Sequence, residues 1–114
     1  MNEPSPRFDV AYLKDAKEFL NSLDSKPRLK IYRNIDLSKF RNNPTLLKKL
    51  TGEIWEFRTE YEGIQYRLLA FWDKTEAAET FVIATHGFVK KQDKVPKNEI
   101  EKAERIRLRY FATP

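Results

Sequence analysis

The chain has no cysteine, one histidine and three glycines among its 114 residues, and each scarcity closes off a class of chemistry. Without cysteine there is no disulfide scaffold, no zinc ribbon and no thiol nucleophile, which fits a reducing compartment. His86 is the single histidine, so paired-histidine metal motifs are absent, and neither a metal nor another cofactor is expected. Gly52, Gly63 and Gly87 are too few and too scattered for a phosphate-cradling loop. A Ser-His-Asp site would have to use His86, and no G-x-S-x-G context accompanies the serines. No apolar run nears the ~20 residues that span a bilayer. Met1-Asn2-Glu3-Pro4-Ser5-Pro6 lacks the basic-then-apolar layout of a signal peptide. The expectation is a cytoplasmic protein with no membrane partner.

What is abundant is positive charge and aromatic surface. Lysine and arginine outnumber the acids 22 to 17, a formal net charge of +5, which favours polyanionic partners through steering and counterion release. The plainer reading of the same number is a soluble lysine-rich surface, so position has to decide. The length predicts one domain, residues 1–114, large enough to bury a core without disulfides or metal.

Alternation of Phe8, Val10 and Tyr12 predicts a first strand over 7–13. Ala16, Phe19, Leu20 and Leu23 recur at helical spacing and predict a helix over 14–23. After the Asp24-Ser25-Lys26-Pro27 punctuation a second helix is expected from about Pro27 to Phe40, with Leu29, Tyr32 and Ile35 inward. Asn42-Asn43-Pro44 breaks it, and Thr45–Leu50 reads as a short turn with Leu46, Leu47 and Leu50 inward. Three strands follow, over 54–59, 64–72 and 80–88, separated by Glu62-Gly63 and by Asp73-Lys74-Thr75-Glu76. A last helix begins near Pro96 and turns Ile100, Ala103, Ile106/Arg107 and Tyr110 inward, with Lys97–Glu101 and Glu101–Arg105 pairs outside. The expected fold is α+β: a small, mostly antiparallel sheet with an N-terminal helical hairpin and a C-terminal helix, the helices on one face.

The chemistry left open is basic and aromatic. Arg58, Arg67, Lys90, Lys91, Lys94 and Arg107, with Tyr66 and Tyr110, are the candidates, alongside Arg105, Arg109, Tyr61 and Phe88. Cleavage of RNA by attack of a ribose 2′-OH on the adjacent phosphorus needs little more. Cations stabilise the charge that develops on the phosphoryl oxygens and the leaving 5′-oxygen, and positioning lowers the barrier further. Arg58 fits equally a solvated arginine paired with Glu56 or Glu60. Arg67 shares a strand face with Leu69 and Phe71, where a cation needs a partner or a ligand. His86 reads more simply as a satisfied strand-end histidine than as a base.

Several of these pieces occur in a recognisable order. Ile54-Trp55-Glu56-Phe57-Arg58, Gly63-x-x-Tyr66-Arg67-Leu68-Leu69, His86-Gly87-Phe88-Val89-Lys90-Lys91 and Lys94-x-Pro96-x-x-Glu99-Ile100-x-x-Ala103 resemble the HigB-type, phage-associated branch of the RelE/ParE toxin superfamily. The resemblance implies a toxin of a type II toxin–antitoxin pair that cleaves mRNA on the ribosome and is held inactive by a cognate helix-turn-helix antitoxin. It assigns Arg58 and Arg67 to phosphate and transition-state binding, and Lys90 and Lys91 to RNA docking or proton transfer. Lys94, Tyr66, Arg107 and Tyr110 are the further RNA contacts expected. The superfamily also contains ParE-like toxins that poison DNA gyrase without cutting RNA, and an inactive phage-derived interaction module is a third reading. Two features depart from the pattern: no histidine lies near the C-terminus, and Glu60 and Glu62 put negative charge beside the expected RNA face.

Overall fold

The computed structural model describes residues 4–113; the reading of Met1–Glu3 and the two ends of the expected 1–114 domain lie outside them. In chain order the elements are β1 (Asp9–Tyr12), α1 (Lys14–Ser22), α2 (Ser25–Phe40), β2 (Leu47–Thr51), β3 (Ile54–Tyr61), β4 (Ile64–Asp73), β5 (Phe81–Lys90) and α3 (Lys97–Ala112). The sheet order is β1-β5-β4-β3-β2. Every neighbouring pair is antiparallel except β1 with β5, which run parallel. No helix among the described residues is long and apolar enough to cross a membrane.

The β3–β4 hairpin follows from its turn. Glu62 and Gly63 both take positive φ, 49° and 77°, the geometry of a two-residue turn whose twist matches the strands it joins. Arg58 is thereby placed opposite Arg67 and Glu56 opposite Leu69. On β5 the ladder skips a residue, pairing Ala70 with Ala84 and Leu69 with His86. The odd residue, Thr85, lies opposite no β4 residue, and its hydroxyl lies 3.2 Å from the Leu69 carbonyl. This bulge reverses the alternation, so Ile83, His86 and Phe88 share a face.

Helices cover both faces of the sheet, not one. On the first, α1 rests on β5 and α2 on β3, burying Ala16, Leu20, Ile31 and Ile35 against Phe57, Leu68, Ala70 and Val82. On the second, α3 brings Ala103, Ile100 and Tyr110 against Ile54, Leu69, Phe71 and Ile83. Periodicity reveals that α3 has an apolar stripe but not which face of the sheet receives it.

Three local expectations are corrected. The residues α2 buries are Pro27, Ile31, Ile35 and Ser38, while Leu29 and Tyr32 remain 64% and 36% exposed. The stretch read as a turn at Thr45–Leu50 contains an edge strand, β2, paired with β3. Its Lys48 and Lys49 are exposed, a charged edge that discourages pairing with another chain and hides the strand's alternation. On α3 the ion pairs are Arg107–Glu104 at 2.8 Å and Lys102–Asp15 at 3.4 Å, in place of the expected Lys97–Glu101–Arg105 series.

Candidate functional site

Strand parity and register build the site. Glu56, Arg58 and Glu60 on β3 project to the face that carries Gln65, Arg67 and Leu69 on β4, and past the bulge the same face carries His86, Phe88 and Lys90 on β5. The register then lays out three rows across the strands: Glu56–Leu69–His86, Arg58–Arg67–Phe88 and Glu60–Gln65–Lys90. Two arginines directly opposite each other repel unless an anion lies between them. Glu56 is that anion. Its Oε1 is 3.1 Å from Arg58 Nε and 3.5 Å from Arg67 Nε.

The three groups are unequally exposed. Arg67 and Glu56 are buried, at 2% and 3% exposure, while the Arg58 side chain is 31% exposed. Arg67 donates from Nη1 to the Tyr66 carbonyl at 3.0 Å and from Nη2 to Gln65 Oε1 at 3.3 Å. Arg58 donates from Nη1 to the Pro44 carbonyl at 3.3 Å. Burial lowers the Arg67 pKa below the ordinary guanidinium value; Glu56 opposes that shift and Arg58 adds to it. Neither Nε is aligned for a hydrogen bond to Glu56, whose Oε2 is buried without a partner among the described residues. The triad is held by charge rather than by good hydrogen-bond geometry.

The Arg58 backbone N–H still donates to the Leu46 carbonyl at 2.8 Å, but past it β3 has no strand neighbour on that edge. A cleft of about 340 Å³ wraps around it, lined by Lys30, Asn34, Arg58, Glu60, Gln65 and Arg67. Asn34 on α2 donates to Thr59 Oγ1 at 3.1 Å, Lys30 donates to the Glu60 carbonyl, and Gln65 donates to the Glu60 carboxylate. The cleft gathers three cations, one carboxylate and two amides, the functional groups that bind and turn over a phosphodiester. A larger cleft of about 890 Å³ lies at the other end of the sheet, between α3 and the start of α1. Its charges are balanced, Lys14 and Arg109 against Asp15 and Asp73, and it contains none of these arginines.

Residues 18–108 match the family described as Phage derived protein Gp49-like (DUF891). The chain belongs to this family. It is a RelE/ParE-like toxin family of toxin–antitoxin systems, so membership implies an antitoxin partner. A comparison with curated proteins returned no match.

In this Gp49-like chain the other expected site residues fall into three groups. Lys90 stands opposite Gln65, one row from Arg67, and Lys91 and Lys94 are exposed in the link that follows. Tyr66 is buried in the α1/α2 core; it is one residue from Arg67, so alternation turns it to the opposite face of the sheet from Arg58 and Arg67. Arg107 and Tyr110 also lie away from the cleft. Arg107 is occupied by Glu104 and packs over Phe111, 5.6 Å from the ring centroid. The Tyr110 hydroxyl donates to Asp73 Oδ2 at 2.7 Å, at the far end of β4 from Arg67. Burial, then Asp73, pushes the Tyr110 pKa up to about 12.

His86 is a satisfied histidine. Its Nε2 lies 3.1 Å from Glu99 Oε1 and its Nδ1 3.0 Å from Thr85 Oγ1, so both ring nitrogens are engaged. Sequence reasoning missed Lys30 and Asn34, because only the packing of α2 on β3 brings them to the cleft. Glu60, read as a departure, lines the same cleft.

Proposed function

We propose that the chain is the toxin of a type II pair of the HigB-type branch, a cytoplasmic, ribosome-dependent mRNA endoribonuclease neutralised by a helix-turn-helix antitoxin. One observation carries this reading: two opposed arginines share the Glu56 carboxylate at the wall of a cleft that also holds Lys30 and Glu60. The ordered motif series from Ile54 to Lys91 supports the finer branch assignment.

Arg58 is the catalytic cation. Its partly exposed guanidinium meets the phosphoryl oxygens and stabilises the charge they gain as the 2′-oxygen attacks. Arg67 is a positioning residue, because a buried guanidinium already engaged by Tyr66, Gln65 and Glu56 acts by holding Arg58 in place. The outer row supplies proton transfer. Glu60 accepts the 2′-OH proton, and Lys90, two strands away at roughly 10 Å between backbones, donates a proton to the leaving 5′-oxygen. The products are a 2′,3′-cyclic phosphate and a free 5′-hydroxyl, which balances the protons moved. Lys91 and Lys94 dock the flanking RNA. No histidine is needed, which suits His86 being committed to Glu99 and Thr85. Primer extension on mRNA under translation tests the reading: cuts confined to translated message support it, and intact message with DNA damage transfers the toxin to the gyrase-poisoning class.

A further inference from the structure

The chain's two tryptophans stand together in a cleft that the Arg58–Arg67 site does not use. Trp55 on β3 and Trp72 on β4 meet edge to face, with ring centroids 5.4 Å apart. They lie on the α1/α2 side of the sheet and line a cleft of about 470 Å³ with Lys49, Lys74, Arg7 and Glu53. Phe8 braces Trp72 from the core at 5.2 Å, and Lys74 Nζ lies 5.3 Å from the Trp72 ring centroid. Arg7 is tied to the end of α2, donating from Nη2 to the Ser38 carbonyl at 2.6 Å. Among the described residues neither Lys49 nor Lys74 is in an ion pair. The buried Trp72 indole N–H has no acceptor among them.

An aromatic pair that only fills a core is covered by apolar side chains, whereas here three cations, one carboxylate and the Asn42 amide line the cleft beside a single aliphatic residue, Leu47. Flat π surfaces beside unneutralised lysines suit a ligand that repeats a flat ring and an anion, which describes unpaired nucleotides. An acidic peptide would answer the charge but not the two rings. We propose that the Trp55–Trp72 cleft is a second contact for single-stranded RNA, in which an unpaired base stacks on the indoles and adjacent phosphates meet Lys49 and Lys74. This rests on the RNA-cleaving reading and extends it. Trp55 and Arg58 are about 10 Å apart along β3, on opposite faces, so one strand passing around the β2 edge reaches both clefts.

Because both tryptophans lie in this cleft, intrinsic fluorescence reports it alone. The full chain is titrated with a short single-stranded oligoribonucleotide, with binding followed separately by anisotropy of a labelled copy. The expected result is saturable quenching. In the Lys49→Ala/Lys74→Ala variant binding weakens about tenfold. The slope of log affinity against log salt flattens by roughly 1.4, because two phosphates of a single strand are no longer neutralised. Binding with unchanged emission, quenching that the double variant leaves intact, no binding at all, or quenching by an acidic peptide but not by RNA would each overturn the proposal. Cleavage of translated mRNA is assayed in parallel. Cleavage without quenching removes this cleft and leaves the endoribonuclease standing, while quenching without cleavage does the reverse.

Discussion

Arg58 and Arg67 face each other across β3 and β4, and both reach the same oxygen of Glu56, yet one is 31% exposed and the other is buried. On the proposed reading that asymmetry divides their roles. The exposed arginine can take a substrate phosphate, and the buried one holds the carboxylate that orients it.

Substitutions should separate the two. Arg58→Ala removes a partly solvated cation, so the expected outcome is a near-normal melting temperature with cleavage reduced about 10²-fold or more. Arg67→Ala removes the buried partner of Glu56, empties the volume its side chain fills and strips the Tyr66 carbonyl and Gln65 Oε1 of their donor. It should cost about 3 kcal/mol, read as a large drop in denaturant midpoint alongside lost activity. Equal stability of the two variants would contradict the division.

Gly87 is required by packing and not by its backbone angle. A Cβ there would overlap the ring of Phe19 on α1. Gly87→Ala should therefore destabilise by about 2 kcal/mol, roughly 10 °C in melting temperature. The double variant Gly87→Ala/Phe19→Ala should lose much less than the sum of the singles, which a double-mutant cycle measures.

Burial lowers the His86 pKa and Lys102 lowers it further, against Glu99 and Asp15, which raise it. A histidine whose folded pKa lies below its unfolded value of about 6.5 contributes stability that is complete above that value and is lost as pH falls toward the folded pKa. The expected loss is up to ~1.4 kcal/mol per pH unit just below pH 6.5. His86→Gln should flatten that part of the stability curve, and chemical denaturation at pH 7.5, 6.5 and 5.5 reads the slope.

On the proposed reading Tyr110 serves structure. Tyr110→Phe removes the hydroxyl that helps hold the Asp73 carboxyl below its ordinary range, after the Thr75 backbone N–H. The expected cost is about 1.5 kcal/mol, with cleavage per folded molecule unchanged. A folded Tyr110→Phe protein without activity would return this residue to the RNA site.

How far the sequence revealed all this depended on whether a feature was local. The β3–β4 hairpin was legible because Glu62-Gly63 and strict alternation specify turn and register together. Arg67's need for a partner was legible too, since its neighbours Leu69 and Phe71 marked a buried face. β2 was not, because Lys48 and Lys49 mask a five-residue strand with one buried side chain. The inner face of α2 was misread because Leu29 and Tyr32 fit an apolar stripe yet face solvent. The cleft depends on α2 docking over β3, and the row beside it on a bulge at Thr85 that turns His86, Phe88 and Lys90 to the α3 side. Neither leaves a mark in residue spacing.

The most direct test of the central claim is primer extension on a translated reporter message after expression of the wild-type chain and of Arg58→Ala at matched soluble levels. The expected result is discrete cuts within the translated region for the wild type and their loss, by about two orders of magnitude, for the variant. Undiminished cutting by a folded Arg58→Ala protein, or no cutting by a toxic wild-type chain, would contradict it.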